Sequence, residues 1–416
     1  MSLLFFKDTA LEVMNNIEKK KYLQKVNIIK HLYIEGAMSN ADICTRFNIS
    51  APKSVGLINE LISEGLVQKE GRGLSIGGRR PDLFGLQKNS FFILCINIDR
   101  YCVKVGLFNN NNCNITGMNS HIIELNKVKT SIEDICQFAS EVIKSSGINQ
   151  ERIIGIGVSM PGLVDTTEGR SYTYLIPERE SLKQILEARF QKPVFIENDT
   201  KVVSLAEHQF GVAQKKNNVL VIAMFTGTGL GIIIDGTLRR GSCGFAGEFG
   251  HIPLIPEGQL CHCGKRGCLE TVASGGAMVR MALKGIKSGQ NTILNQLKDQ
   301  EGGLITPQLI IDAAIQGDQY AINIISEVGT NLGKGIATLV QIFNPELVVI
   351  AGPLTEKLTE VQHYLTTPIQ HSLNIYCMSK LQEKTQVVIS DLGENASMIG
   401  LVALVMENIN KISLQN

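Results

Sequence analysis

The chain has 416 residues, a formal net charge of +1 at pH 7, 44% hydrophobic residues and 19% charged residues. This composition is typical of globular proteins and argues against a disordered or fibrous chain, and the length predicts two or three domains. No apolar run is long enough to cross a bilayer, and Leu3–Phe6 is too short for the apolar core of a signal peptide. We therefore expect a cytoplasmic protein without a membrane partner, in which residues 1–18 form an arm that packs on another element or on a partner subunit.

Three helical segments are predicted after this arm. Apolar residues recur at helical spacing from Lys19 to Ile34. Ser39 has the properties of an N-cap for a second, short helix over Ala41–Phe47. Ser50 opens a third helix, with a proline in its first turn, where a missing N–H is harmless. The two shorter helices form a helix-turn-helix, of which the third segment is the recognition helix.

The recognition helix has a predicted buried face and predicted DNA contacts. Its apolar spacing places four side chains in the core: Val55, Ile58, Leu61 and Ile62. Three polar side chains near its N-terminus are in position to reach base edges or phosphates: Ser50, Lys53 and Ser54.

Two short strands, 67–70 and 83–86, follow the recognition helix and flank a glycine-rich basic segment. This pattern predicts a winged helix-turn-helix over residues 19–86, with Arg79 and Arg80 in the wing, close to a minor groove or to phosphates. Residues 1–86 carry 12 Lys and Arg against 9 Asp and Glu, whereas the remainder carries 28 against 30. A basic bias in the first segment agrees with DNA binding; the alternative is a winged helix that makes protein contacts, with solvated arginines.

Beyond residue 86, buried strands alternate with helical segments, which predicts an α/β fold. The strands are predicted at residues 91–99, 103–108, 151–160, 193–197, 219–224, 347–350 and 386–389, with long helices at 321–339 and 396–405. The strand over 193–197 delivers Asn198 and Asp199 to its carboxyl end, where ligands bind in α/β sheets. The alternative for this pair is a cap for the helix that follows.

One cysteine cluster has the spacing of metal ligands. Three thiols lie within eight residues and a histidine precedes them, which gives a predicted Zn²⁺ site of His251, Cys261, Cys263 and Cys268. Gly264 and Gly267 give the backbone the freedom to fold the thiols around one ion. His262 lies between two proposed ligands, and we interpret it as an exposed loop residue. The alternative is a set of free thiols with a redox role.

The same stretch carries a family resemblance. Gly-Glu-x-Gly-His followed by Cys-x-Cys-Gly-x-x-Gly-Cys-x-Glu, from Gly247 to Glu270, resembles the signature of the ROK family of bacterial sugar-responsive repressors and sugar kinases. The resemblance implies a two-lobed actin-like ATPase or sugar-kinase fold, with one lobe at 87–200 completed by 396–416 and the other at 201–395. It also implies a sugar site whose ligand-binding residues are Asn198, Asp199, Glu248, His251 and Glu270. Zinc would support this site by holding one nitrogen of His251; the alternative is a pocket kept only as scaffold.

The resemblance bears on ATP use in two places. Kinases of the family have an Asp-x-Gly-x-Thr turn that approaches the ATP phosphates, whereas this chain has Asp99-Arg100-Tyr101-Cys102-Val103, without the glycines and the threonine. The segment 225–231 resembles the second phosphate loop and keeps its glycines. Asp199 matches the general base of the kinases, a position that holds sugar hydroxyls in the repressors.

These observations predict a sugar-responsive transcriptional regulator, a repressor in our interpretation, and not an enzyme. Its expected partners are double-stranded operator DNA, a sugar or sugar-phosphate effector, and further copies of itself in a homodimer or homotetramer. Ligand-driven closure of the lobes would change the spacing of the recognition helices. Two alternatives stay open: an ATP-dependent hexose or N-acetylhexosamine kinase with a DNA-binding head, and a sensor that binds a phosphotransferase protein in place of a free sugar.

Overall fold

The computed structural model describes residues 15–73, 80–123, 125, 127–300 and 303–412. Arg79 and most of the predicted arm lie outside these ranges. The chain divides into two compact units, the first formed by residues 1–198 with 401–416 and the second by residues 199–400. The predicted limits between the lobes, 200/201 and 395/396, lie near these divisions.

The first unit begins with a small head of helices and short strands. Its elements are α1 Asn16–Glu35, β1 Met38–Ser39, α2 Asn40–Phe47, α3 Ala51–Ser63, β2 Val67–Arg72 and β3 Asp82–Leu86. The strands form an antiparallel sheet in the order β1-β3-β2. The Ser39 hydroxyl accepts a hydrogen bond from the backbone N–H of Asp42, and the Asp42 carboxylate accepts one from the N–H of Ser39. This capping box confirms the predicted N-cap of α2.

Helix α3 is oriented differently from the sequence prediction. Its buried residues occupy positions i, i+3, i+4 and i+7, and they are Ser54, Leu57, Ile58 and Leu61. The predicted burial of Val55 is wrong, since this side chain is 45% exposed. The predicted DNA contact of Ser54 is corrected as well, because Ser54 is 0% exposed on the core-facing side of the helix. Leu57, which the sequence pattern had not included, completes the buried stripe in place of Val55.

The remainder of the first unit is an α/β lobe. Its elements are β4 Phe92–Ile98, β5 Cys102–Asn109, β6 Asn119–Ile122, α4 Val128–Ser146, β7 Ile153–Met160, β8 Val164–Asp165, β9 Arg170–Ser171, α5 Leu182–Phe190 and β10 Val194–Asn198. The main sheet has the order β10-β7-β4-β5-β6. Strand β4 pairs in parallel with β7 and antiparallel with β5. Its sequence, Phe-Ile-Leu-Cys-Ile-Asn-Ile, is almost wholly apolar, as expected for a strand buried on both faces.

The second unit contains the second lobe. Its elements, with the helices that close the chain, are α6 Asp199–Phe210, β11 Val219–Met224, β12 Thr228–Ile234, β13 Thr237–Leu238, α7 Gly275–Lys287, α8 Leu294–Gln300, α9 Pro307–Ile315, α10 Gln319–Phe343, β14 Leu347–Ala351, α11 Thr355–Leu358, α12 His363–Tyr376, α13 Ser379–Gln382, β15 Gln386–Ile389, α14 Asn395–Glu407 and α15 Ile409–Ile412. The sheet has the order β13-β12-β11-β14-β15. In the ranges that the structure describes, no helix is both long enough and apolar enough to span a membrane.

The two main sheets share one topology. In each, the first three strands form an antiparallel meander, and two later strands add in parallel beside the first. Numbered by appearance in the chain, both sheets therefore read 3-2-1-4-5. The sequence shows no repeat that would have predicted this duplication.

The end of the chain returns to the head. Residues from Leu401 onward belong to the first unit. The Lys30 ammonium of α1 donates a 2.9 Å hydrogen bond to the carbonyl oxygen of Glu407, and the Asn410 amide donates to Oδ1 of Asn27 at 3.3 Å. On the same helix, the Tyr33 hydroxyl donates to Oδ1 of Asn112 in the first lobe at 2.6 Å. Direct contacts of α1 thus attach the head to the rest of the first unit.

Candidate metal and ligand site

The predicted metal ligands lie together in one loop of the second unit. The ligand atoms of four side chains are all within 4.8 Å of one another: His251, Cys261, Cys263 and Cys268. Nδ1 of His251 lies 3.6 Å from Sγ of Cys261, and the Sγ atoms of Cys263 and Cys268 are 3.6 Å apart. Tetrahedral zinc with Zn–S bonds of about 2.3 Å separates two sulfurs by about 3.8 Å, so this spacing fits one ion.

The loop backbone explains how the thiols meet. The N–H of Cys261 donates to the carbonyl oxygen of Lys265 at 2.8 Å, and the N–H of Gly264 donates to the carbonyl oxygen of Cys261 at 3.0 Å. The predicted need for glycine is confirmed, because φ is +86° at Gly264 and +72° at Gly267, and a Cβ atom at Gly267 would collide with the backbone. Three adjacent thiols are also poor acids by themselves: burial and the other two thiols raise the pKa of Cys268 to about 12. A bound cation would stabilise the thiolates, which is the chemistry that this donor set favours.

His251 connects the metal loop to the predicted ligand-binding carboxylates. It ends a single 3-10 turn, Phe249–His251, directly after Glu248. While Nδ1 of the ring faces Cys261, Nε2 lies 3.9 Å from Oε2 of Glu248. The two nitrogens of one imidazole therefore serve two different groups, as the sequence predicted.

Glu270 has a partner for each carboxylate oxygen. The backbone N–H of Thr228 donates to Oε2 at 3.1 Å, and Nδ1 of His262 lies 3.0 Å from Oε1. The His262 side chain is 46% exposed and that of Glu270 is 14% exposed. Our interpretation of His262 as an exposed loop residue is therefore incomplete. Sequence spacing gave no signal for this pair, because the eight residues between its members belong to an irregular loop.

Lys201 is a second site residue that the sequence analysis missed. It lies in the first turn of α6, is 3% exposed, and donates a 2.6 Å hydrogen bond to the carbonyl oxygen of Gly244, in the segment that leads to Glu248. Burial raises the pKa of Glu248, and the charges of Lys201 and His251 oppose that rise. A lysine in a helical apolar pattern is normally taken as solvated, so only the fold reveals it.

The predicted pair Asn198 and Asp199 falls at the division between the units. Asn198 ends β10 in the first unit, where its amide donates to the carbonyl oxygen of Gly162 at 3.0 Å. Asp199 opens α6 in the second unit, and its Oδ1 accepts from the N–H of Thr200 at 2.7 Å. Asp199 thus makes the hydrogen bond of a helix N-terminus as well as occupying the predicted site position.

The two phosphate-type segments have structural explanations. The Asp99 turn closes the β4–β5 hairpin, with the N–H of Asp99 donating to the carbonyl oxygen of Cys102 at 2.8 Å and Tyr101 71% exposed. In the second segment, Gly229 and Gly231 lie against α6, where a Cβ atom would collide with Thr200 or Ser204. These glycines are required for the packing of α6 on β12, so their presence does not by itself indicate nucleotide binding.

Comparison with solved structures places the fold. A ROK-family transcriptional regulator, described as a homologue of the E. coli MLC protein, superposes with a TM-score of 0.76 and 24% identity over 94% of this chain and 98% of its own. A ROK-family glucokinase from Streptomyces griseus, solved with glucose and AMPPNP, gives a TM-score of 0.66 and 28% identity over 75% of this chain and 98% of its own. The fold is therefore the two-lobed, sugar-kinase-like α/β class, preceded by an N-terminal helical region.

Sequence comparison gives the family within that class. Residues 100–408 match the ROK family, and the chain belongs to it, which confirms the predicted resemblance. The N-acetylglucosamine repressor of Escherichia coli O6:H1 is 29% identical over 406 residues, covering 97% of each chain. A putative xylose repressor from Caldicellulosiruptor sp. Rt8B.4 is 30% identical over 403 residues, covering 95% of this chain and 98% of its own.

Proposed function

We propose that this protein is a transcriptional repressor that binds operator DNA through its head and a sugar or sugar derivative through its ROK lobes. The observation that carries the proposal is the extent of the similarity. Relatives named as sugar repressors align with 95–97% of the chain, head included, whereas the glucokinase aligns with 75%. The additional segment at the N-terminus has the element order of a winged helix-turn-helix.

The head provides the proposed DNA-binding surface. Helix α2 ends at Asn48, whose φ of 49° makes the tight turn into α3. Side chains at the start of α3 are exposed at Ser50, Lys53 and Val55. The first two are suited to phosphates or polar base edges, and Val55, which the sequence analysis had placed in the core, is suited to a thymine methyl group. Arg80, exposed at the end of the wing, is proposed as a further contact; the proposed contact of Arg79 lies outside the described residues.

The second unit provides most of the proposed sugar-binding residues. Asp199, Glu248 and Glu270 supply carboxylates, and Nε2 of His251 supplies a donor or acceptor, with Asn198 completing the set from the first unit. Sugar hydroxyls are donors and acceptors at once, so such a set is chemically complementary to them. Zinc at the four-ligand cluster would cross-link the loop and hold His251 in one orientation, a structural role without an open coordination position.

Regulation follows from unequal affinities. The sugar can change operator binding only if it binds the DNA-competent and DNA-incompetent forms with different affinity. We propose a homodimer or homotetramer in the cytoplasm, since two symmetric heads match the two half-sites of an operator.

A thermal-shift screen followed by DNA binding tests the proposal. The full chain is screened against hexoses, pentoses, N-acetylhexosamines and their phosphates, because a ligand that binds only the native state raises the melting temperature. The stabilising sugar is then added to a complex with promoter DNA selected from genomic fragments. We expect it to lower DNA affinity. Equal affinity with and without saturating sugar would contradict the proposal.

The second candidate function is a sugar kinase, which the similarity to the glucokinase and the position of Asp199 favour. Phosphoryl transfer needs groups that position and neutralise the ATP phosphates. The Asp99–Val103 turn lacks the glycines and the threonine that serve this purpose in the family's kinases. We therefore expect no sugar-dependent ATP hydrolysis or phosphorylation above that of the Asp199→Asn variant. Turnover that depends on both the sugar and Asp199 would establish the kinase.

A further inference from the structure

We infer that His262 is a positioning residue of the sugar site, which fixes the carboxylate of Glu270 and couples it to the metal loop. The inference rests on the proposed role of Glu270 as a sugar ligand. It starts from the shortest polar contact between the metal loop and a predicted sugar-binding carboxylate, the 3.0 Å between Nδ1 of His262 and Oε1 of Glu270.

The contact completes the orientation of Glu270. A carboxylate held by one donor can rotate about its last torsion, whereas donors on both oxygens fix its plane. Thr228 supplies the first donor from the backbone of β12 and His262 supplies the second from its side chain. An ionised carboxylate has about four acceptor sites, so two stay available for sugar hydroxyls. His262 thus orients Glu270 without using up its capacity to bind a ligand.

The position of His262 in the chain explains the coupling. Its neighbours on both sides, Cys261 and Cys263, are members of the four-ligand cluster. When both thiols hold one ion, the backbone at residue 262 is restrained from both directions, and the imidazole has one accessible location. Its ring also packs edge-on against the ring of His251, with 5.1 Å between centroids. Metal binding therefore reaches the ligand site by two routes, through His251 to Glu248 and through His262 to Glu270.

A competing assignment uses the same atoms. The ligand atoms of His251, His262 and Glu270 also lie within 4.8 Å of one another, so His262 is itself within reach of a metal. Zinc prefers the thiolate-rich set, and Nδ1 of His251 faces a thiol of that set. With the ion held there, the imidazole of His262 is left for Glu270. Metal content distinguishes the two assignments.

The test compares two substitutions of His262 in the full chain. His262→Asn keeps an amide N–H near the position of Nδ1, whereas His262→Phe keeps a ring without a donor. Glucose, N-acetylglucosamine and xylose are each titrated calorimetrically, and zinc per chain is measured by mass spectrometry. We expect His262→Phe to weaken binding of whichever sugar the wild type binds by about tenfold or more, and His262→Asn to bind within about threefold of wild type, the range for a charge-assisted hydrogen bond. Both variants should keep the zinc content of the wild type.

A measurement without sugar separates this inference from the proposed function. A double-mutant cycle of His262→Phe and Glu270→Gln is followed by chemical unfolding of the zinc-loaded protein. We expect the two substitutions to be non-additive. Additivity overturns the inference, as does unchanged sugar affinity in His262→Phe, or loss of zinc from it. Coupling in the cycle together with no binding of any of the three sugars to wild type would leave the His262–Glu270 pair standing and count against the proposed effector class.

Discussion

Nδ1 of His251 lies 3.6 Å from Sγ of Cys261, and this contact turns the other nitrogen of the ring toward Glu248. One imidazole therefore belongs both to the candidate metal centre and to the candidate ligand site. Because a ring bound at one nitrogen has its orientation fixed, anything that disturbs the metal loop should also disturb ligand binding.

Loss of the metal should reduce both stability and ligand affinity. In Cys268→Ser, the buried thiolate is replaced by a poor zinc ligand, so we expect the zinc content to fall from about one ion per chain to near zero. The melting temperature should fall with it, and chelation of the wild type should have the same effect. Metal analysis and a thermal melt measure both. Cys243→Ser is the matched control, because Cys243 is exposed and lies outside the cluster; equal zinc in the two variants would exclude this site.

Removing the charge of Glu248 should weaken sugar binding. Glu248→Gln keeps the size of the side chain but loses an anionic acceptor, so we expect affinity for the effector sugar to fall by about 10- to 100-fold, as for hydrogen bonds to charged groups. Calorimetric titration measures the change. Glu257→Gln alters an exposed carboxylate on the same loop and should bind like wild type. If both variants bind alike, Glu248 is not a ligand residue.

Lys53 should act on DNA through its charge. Lys53→Ala is expected to weaken binding to all duplexes similarly and to lower the slope of log affinity against log salt by about 0.9, the contribution of one phosphate contact. Fluorescence anisotropy over a series of salt concentrations gives this slope. Ser54→Ala is the control, because the Ser54 hydroxyl is buried and should not touch DNA. An unchanged slope in Lys53→Ala would remove Lys53 from the interface.

Glu207 should make stability depend on pH. This residue of α6 is 0% exposed, and its Oε1 accepts a hydrogen bond from the Ser390 hydroxyl. Burial raises its pKa from an ordinary 4.5 to about 6. The folded state therefore binds the proton more tightly than the unfolded chain. The free energy of unfolding should fall as pH rises from 4.5 to about 6, by about 2 kcal/mol from this group, and stay lower above that range.

Glu207→Gln removes this titration. We expect the variant to gain stability over wild type progressively as pH rises from 4.5 to about 6 and to hold that gain at neutral pH. Urea unfolding of both proteins across this range isolates the group, because all other titrations are shared. A difference that does not vary with pH would show that Glu207 is not held in its protonated form by folding.

The sequence predicted features that depend on local chemistry. Ser39 was identified as an N-cap because a hydroxyl before an apolar helical pattern has that use in most proteins, and the structure confirms it. The four metal-cluster residues were found from spacing alone, because the loop that joins the three thiols is too short to separate them.

The errors lie where tertiary packing decides. On α3, Val55 and Leu57 are both apolar and both compatible with helical periodicity, and only contact with the rest of the head selects Leu57 for the core. The same rotation of the helix buries Ser54. Lys201 and His262 were missed for a related reason, since their partners lie 43 and 8 residues away along the chain and are brought together by loops without a periodic pattern.

The attachment of α1 has a mechanical consequence. This helix has 20 residues and is therefore about 30 Å long. Its C-terminal half is bonded to Asn112 and Glu407, and Lys25, farther toward its N-terminus, contacts Glu60 of α3 at 2.8 Å. Such a helix behaves as a lever: a tilt of about 10° moves one end relative to the other by about 5 Å, more than the 3.4 Å rise of one base pair. A head mounted in this way loses its register with a half-site after a small rotation of the lobe that carries it, without a flexible linker.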